Sequence, residues 1–358
     1  MDRVPVRREI SVFSVIRAFA LLLIAVVVCV AQDGEPHLFP VKQGSTYGYI
    51  DSGGLVRIPF KFQYAGEFRD GLAKAEIGDR CGYINAAGEF SIAPKYDFLN
   101  SGNFSDGLAF VEQEQRNGYI DVTGKLAVFP RFFGTSEFSE GMAKVWTTPT
   151  RVGYIDKTGN LIIPDVYEDP SCNFHEGVTC VKKDGKIGFI DKEDNVAIPF
   201  IFWQADDFSE GLAPVSKGNK WGFIDHTGKV VIAFQFELAW GFQDGLAPVQ
   251  SGGKWGFINK TGQWVIAPQF GSVFEFGDGL APARIAEKWG YIGQDGAFLI
   301  EPQFDYATSF SHGLAEVKIG ARWAMVNRNG KVVWKSNEDD PSDKWLLESL
   351  DRLTDTSP

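Results

Sequence analysis

Short apolar and aromatic runs, each closed by a polar turn, fill the chain from residue 37 to residue 335. The stretch 211–242 shows the unit. Leu212-Ala213-Pro214-Val215 reads as a strand, and Trp221-Gly222-Phe223-Ile224-Asp225 as a second. The β-branched run at 229–233 (KVVIA) reads as a third. Between the last two, Asp225-His226-Thr227-Gly228 places Asp first and Gly fourth, the preference of a type I turn. Residues 234–242 form a connector. Each unit is thus a three-stranded antiparallel meander, with proline confined to strand ends, where a missing N–H is tolerated.

The unit recurs. An aromatic-Gly landmark places glycine at Gly48, Gly82, Gly118, Gly153, Gly188, Gly222, Gly256 and Gly290, with Ala324 in the ninth place, at steps of 34 to 36 residues. A Phe-x-x-Gly landmark runs in phase from Phe68 through Phe208 and Phe242 to Phe310. An Ile/Ala-Pro landmark accompanies them. Internal periods of this length mark repeat architectures. The expected fold is all-β, a tandem array of about nine three-stranded meanders over residues 37–335. Two shapes compete, an open β-solenoid or superhelix and a closed β-propeller. His37-Leu38-Phe39-Pro40-Val41 aligns with Gly211-Leu212-Ala213-Pro214-Val215, and the array ends on a third strand at 331–335. Every unit is therefore whole, none is split between the termini, and three strands fall short of a propeller blade's four. The expectation is the open array.

Lys220-Trp221-Gly222-Phe223-Ile224-Asp225, Lys254-Trp255-Gly256-Phe257-Ile258-Asn259 and Lys288-Trp289-Gly290-Tyr291-Ile292 resemble the WG repeat (KWG repeat) family of bacterial proteins. Earlier units hold Tyr47, Cys81, Asn117, Val152 and Ile187 in the Trp place. The resemblance implies a β-repeat module, often exported, with a binding role and no reaction.

The N-terminus differs from the array. Arg3, Arg7, Arg8 and Arg17 precede an apolar run at 18–30 and then Ala31-Gln32-Asp33. This reads as a secretory signal peptide over 1–31. An uncleaved anchor, and with it membrane attachment, arises if Ser11 to Ile16 joins the run. The protein is expected in the periplasm, at the cell surface or outside the cell. Net charge −11 argues against nucleic acid as a partner. Beyond the array, 336–358 is an acidic tail. Leu346, Leu350 and Leu353 fall at helical spacing there, as a cap for the last unit or a docking helix.

Candidate chemistry is sparse. Trp221, Trp255, Trp289 and Trp323 line up across units as a candidate platform for a glycan or peptide, or as core. Asp70, Asp106, Glu140, Glu176, Glu210, Asp244 and Asp278, with His312 in the eighth place, precede glycines and read as turn residues rather than calcium ligands. Cys172 and Cys180, eight apart, are a candidate disulfide in an oxidising compartment, or two independent small apolar residues. Cys81 is expected to be buried. His37, His175, His226 and His312 share no spacing, and no nucleophile elbow, Walker loop or zinc motif occurs. No catalytic residue, metal or cofactor is expected. The protein reads as an exported, non-enzymatic scaffold for a protein or peptide, with glycan or cell-wall binding as the alternative.

Overall fold

The computed structural model describes residues 37–97, 99–168 and 172–337. The leader at 1–31 and the tail leucines lie outside the described residues. Within them the regular structure is strand, in nine antiparallel sheets. The sheets span 39–62, 64–96, 108–132, 134–167, 178–202, 204–236, 238–270, 272–304 and 306–335, and are numbered here as blades one to nine. They form a nine-bladed β-propeller.

Two expectations are corrected. The first concerns strand count. The connector opens with a short strand that pairs with the following meander, as Leu238–Ala239 pairs with Leu246–Ser251. Six blades are four-stranded for this reason. In blades three and five the same place is held by the single bridges Ser101 to Val111 and Glu168 to Lys182. A two-residue strand carries no hydrophobic period, so the pattern hides it.

The second correction is closure. Phe39, Val41 and Ile50 of blade one share a core cluster with Leu314 and Met325 of blade nine. Phe60 stacks on Trp334, with centroids 6.4 Å apart. The ring is closed by packing between two whole blades. The terminal units are whole, as expected; the open array favoured on that ground gives way to its alternative, the closed propeller.

The cores lie between blades rather than within them. Phe223, Ile232 and Phe236 of blade six pack with Ala239, Phe242 and Val249 of blade seven. Each sheet buries both faces, which is why its second strand reads as a continuous apolar run. Along the last strand of each of blades one to eight, alternate residues reach the core: in Val230–Phe236, Ile232 and Phe236 are buried, and Val230 and Val231 are exposed.

The glycine of the aromatic-Gly landmark answers to a bulge. Trp221 faces Phe236 and Phe223 faces Ile232, so two residues on one strand span four on the other. The extra residues fold the Ile232 carbonyl over Gly222, where a Cβ would sit 2.5 Å from it. In blade nine the pairing stays regular there, Ala324 with Lys335 and Met325 with Trp334, and alanine fits.

Candidate binding site on the ring axis

One aromatic pair joins each blade to the next. The residue after the landmark glycine packs on the recurring Phe of the following connector, as Tyr83 on Phe104 (4.8 Å), Phe223 on Phe242 (5.0 Å) and Tyr291 on Phe310 (4.7 Å). Such pairs contribute roughly 0.5–1.5 kcal/mol beyond the area they bury. Four of the tyrosines in this series donate their hydroxyl to the next blade's main chain, as Tyr49 to the Gly66 carbonyl at 2.8 Å and Tyr83 to that of Gly102 at 2.6 Å, while Tyr154 meets the Thr179 hydroxyl at 3.4 Å. These contacts pin the connector, and so the residues just before each Phe, against the preceding blade.

The acidic turn residues do more than turn the chain. Asp70, Asp106, Glu140, Glu176, Glu210, Asp244, Asp278 and His312 all hold positive φ, between 50° and 55°, each followed by a positive-φ glycine. Two such residues in succession make the turn that matches strand twist. The carboxylate then accepts the N–H of the next blade's turn glycine: Asp70 from Gly107 at 2.7 Å, Glu140 from Gly177 at 2.9 Å, Asp278 from Gly313 at 2.7 Å. The head-to-tail ladder runs from blade two to blade nine. Lys192 and Lys260 add ion pairs to Glu140 and Glu210, at 3.1 and 3.0 Å. Burial works against ionisation of Glu140, but the Gly177 N–H and Lys192 outweigh it and lower its pKa. The recurrence at about 35 residues was the signal for this role, and the sequence reading used it only for the turn.

The residues flanking the recurring Phe converge on the axis. His175, Asp206, Asp207, Ser209, Gly241, Gln243, Glu275 and Ser309, from blades five to nine, line a cavity of about 590 Å³ walled by Phe208, Phe242, Phe276 and Phe310. Residues from five blades share one cavity only where inner edges meet. Asp207 accepts the Asn173 N–H at 3.1 Å and lies 3.4 Å from His175. Burial pushes the Asp207 carboxyl up to about 6, with Asp206 adding to the shift and His175 opposing it. Burial also raises Glu275, again helped by Asp206. No sequence signal marked these residues, because the axis position varies from unit to unit.

The sequence-derived candidates fall elsewhere. Trp255, Trp289 and Trp323 are 2%, 4% and 8% exposed, and Trp221 is half-buried against the core between blades six and seven. A binding platform needs open ring faces, and these indoles spend theirs on packing: Trp289 stacks on Phe274 at 5.1 Å and Trp255 meets Trp240 at 5.0 Å. Cys172 and Cys180 are joined by a disulfide, with Cα atoms 5.5 Å apart. Cys81 is buried, 2.9 Å from the Ser101 hydroxyl, and burial raises its thiol pKa. His226 stacks on Phe208 and lies 2.8 Å from Glu176. Among the described residues, no three His, Cys, Asp or Glu converge on a point that could hold a metal ion.

The model of the WG-containing repeat matches residues 47–81, 82–116, 153–186, 187–221, 221–255, 255–289 and 289–323. The chain belongs to the WG-repeat family. The unmatched segment 117–152 carries Asn117 in the Trp place, yet it builds ordinary strands of blades three and four. No curated protein matches the WG-repeat chain. Among solved structures it is similar to a eukaryotic initiation factor, at 11% identity and TM-score 0.51, covering 85% of each chain. It also matches BamB from Moraxella catarrhalis, at 12% identity and TM-score 0.44, covering 86% of this chain and 96% of that one. Identities this low speak to the fold alone.

The rim of the WG-repeat ring is not uniform. The sixth residue of the outermost strand is exposed in each of blades one to eight. It is basic in blades one to three (Lys61, Lys95, Arg131) and an amide in blades six to eight (Gln235, Gln269, Gln303). In blades four and five it is apolar, Val166 and Ile201. Phe129 is 75% exposed on blade three, Ile201 53% and Trp203 57%. Phe133 and Trp203 share one repeat position, and a cation covers each: Arg116 at 3.8 Å and Lys186 at 3.1 Å from the ring centroids.

Proposed function

We propose that this WG-repeat protein is an exported, non-catalytic scaffold that binds a protein partner at the rim of blades three to five. The observation that carries the reading is the pair Val166 and Ile201, apolar at a strand place that is basic or amide in blades one to three and six to eight, with Phe129 and Trp203 exposed in the same stretch of the chain. Monomeric proteins seldom leave such groups clustered unless they meet a partner. Outermost strands also keep a free edge of main-chain donors and acceptors, which an extended segment can extend. Export is supported by the basic-then-apolar leader and by the Cys172–Cys180 bond, which persists in oxidising compartments. The non-catalytic reading is supported by the turn carboxylates, which are spent on main-chain bonds between blades.

A photo-crosslinking side chain at position 203, compared with one at position 269 on blade seven, tests the proposal in the native host. Discrete protein adducts are expected at 203 and not at 269, and Ile201→Glu should abolish them. Equal adducts at both positions, or sedimentation with insoluble polysaccharide that Ile201→Glu abolishes, would count against it.

A further inference from the structure

Glu137 and Glu275 occupy the same repeat position, each one residue before the recurring Phe. Glu137 is answered from within the chain. Arg69, two blades earlier, reaches its Oε2 with Nη1 at 3.1 Å. Asn103, in the blade between, donates both its main-chain N–H and its side-chain amide to Oε1, each at 3.2 Å. In blades six to eight both side-chain donors are missing. Ser209 stands where Arg69 stands, and Gly241 where Asn103 stands. Ser209, Gly241 and Glu275 all line the 590 Å³ cavity, which opens where the larger side chains would lie. Asp206 and Asp207 add carboxyl groups to its wall, and His175 is the basic group that faces them.

We propose that this cavity receives a guanidinium group from outside the chain, in the place that the Arg69 side chain takes beside Glu137. The Arg69 arrangement is the internal template: the same carboxylate position, on the same scaffold, is satisfied by a guanidinium. A planar guanidinium offers paired N–H donors that match a carboxylate, which an ammonium does not. A cavity of this size has room for an arginine side chain or a small guanidine. The site is separate from the rim and stands whether or not the rim binds a protein.

Calorimetric titration of the full chain tests this with three probes: acetyl-Gly-Arg-Gly-amide, its citrulline counterpart and free L-arginine. The arginine peptide should bind at one site, with the isosteric citrulline peptide at least tenfold weaker. Ser209→Arg restores the internal guanidinium, loses the Ser209 hydroxyl bond to the Phe242 carbonyl, and should lower arginine-peptide affinity at least tenfold while the chain still unfolds in one cooperative transition. Glu275→Gln, nearly isosteric, should weaken the peptide by a similar factor. Free L-arginine binding as well as the peptide would assign the site to a small guanidine, and much weaker binding to an arginine within a chain. Equal or absent binding of the arginine and citrulline peptides, or a Glu275→Gln variant that binds as well as the parent, would overturn the proposal.

Discussion

Blades two to four and blades six to eight are built from the same unit, yet they treat the ring axis differently. In the first group Arg69 and Asn103 reach Glu137 and bond its carboxylate. In the second, Ser209 and Gly241 leave Glu275 facing a cavity with Asp206 and Asp207 beside it. The ring pair that joins one blade to the next is the same in both groups, since Tyr119 meets Phe138 at 4.8 Å and Phe223 meets Phe242 at 5.0 Å. The difference shows how the repeat divides its labour. The paired rings between blades stay aromatic, and the residues that face the axis differ.

The largest test of that division removes the common part from each group. Phe138→Ala and Phe242→Ala should each cost about 3–5 kcal/mol in chemical denaturation, because each ring is 1% exposed and leaves a cavity between blades. A loss below about 1 kcal/mol in one group alone would mean that the two halves are not packed alike.

Strand register provides a smaller effect. Gly222→Ala forces a Cβ against the Ile232 carbonyl and should cost about 1–3 kcal/mol, as overpacking does. Ala324→Gly in blade nine should cost about 1 kcal/mol, the backbone and packing penalty of glycine in a strand. A neutral Gly222→Ala, measured by thermal unfolding, would remove the bulge as the reason for the family's glycine.

The smallest effect sharpens the contrast at the axis. Asp207 ionises near 6 in the fold and near 3.8 when free, so between those values the folded chain binds more protons. Its contribution to stability therefore falls as pH rises from about 4 to about 6. His175, Asp206 and Lys144 are the charged groups acting on it. Asp207→Asn should unfold about 1 kcal/mol later than the parent at pH 7, with the gap closing towards pH 4, once the shift is discounted for partial exposure. A gap that is constant with pH would show that the carboxyl is not penalised by its position.

Much of the fold was legible because periodic features were. The landmarks at Gly222 and Phe242 recur in phase, and the turn at Asp225 forms as its residue types require, with its carboxylate accepting the Thr227 N–H at 2.9 Å. The fourth strand was not legible, since Leu238–Ala239 is too short to show a period. The Trp row was legible as a row, with core and platform both open readings. Two aromatics on one face read the same whether that face meets solvent or a second sheet, and only the neighbouring blade decides it.

The repeat period, the strands, their hairpins and the apolar faces were determined by the sequence alone, because each depends on residues within one unit of about 34. Closure was decided only in three dimensions. It depends on the small rotation between blades summed over nine of them, and on whether Phe39 and Phe60 arrive against Leu314, Met325 and Trp334. The axial cavity belongs to the same class. Ser209, Gly241 and Glu275 are unremarkable in three separate units, and become a site because the ring brings their inner edges together.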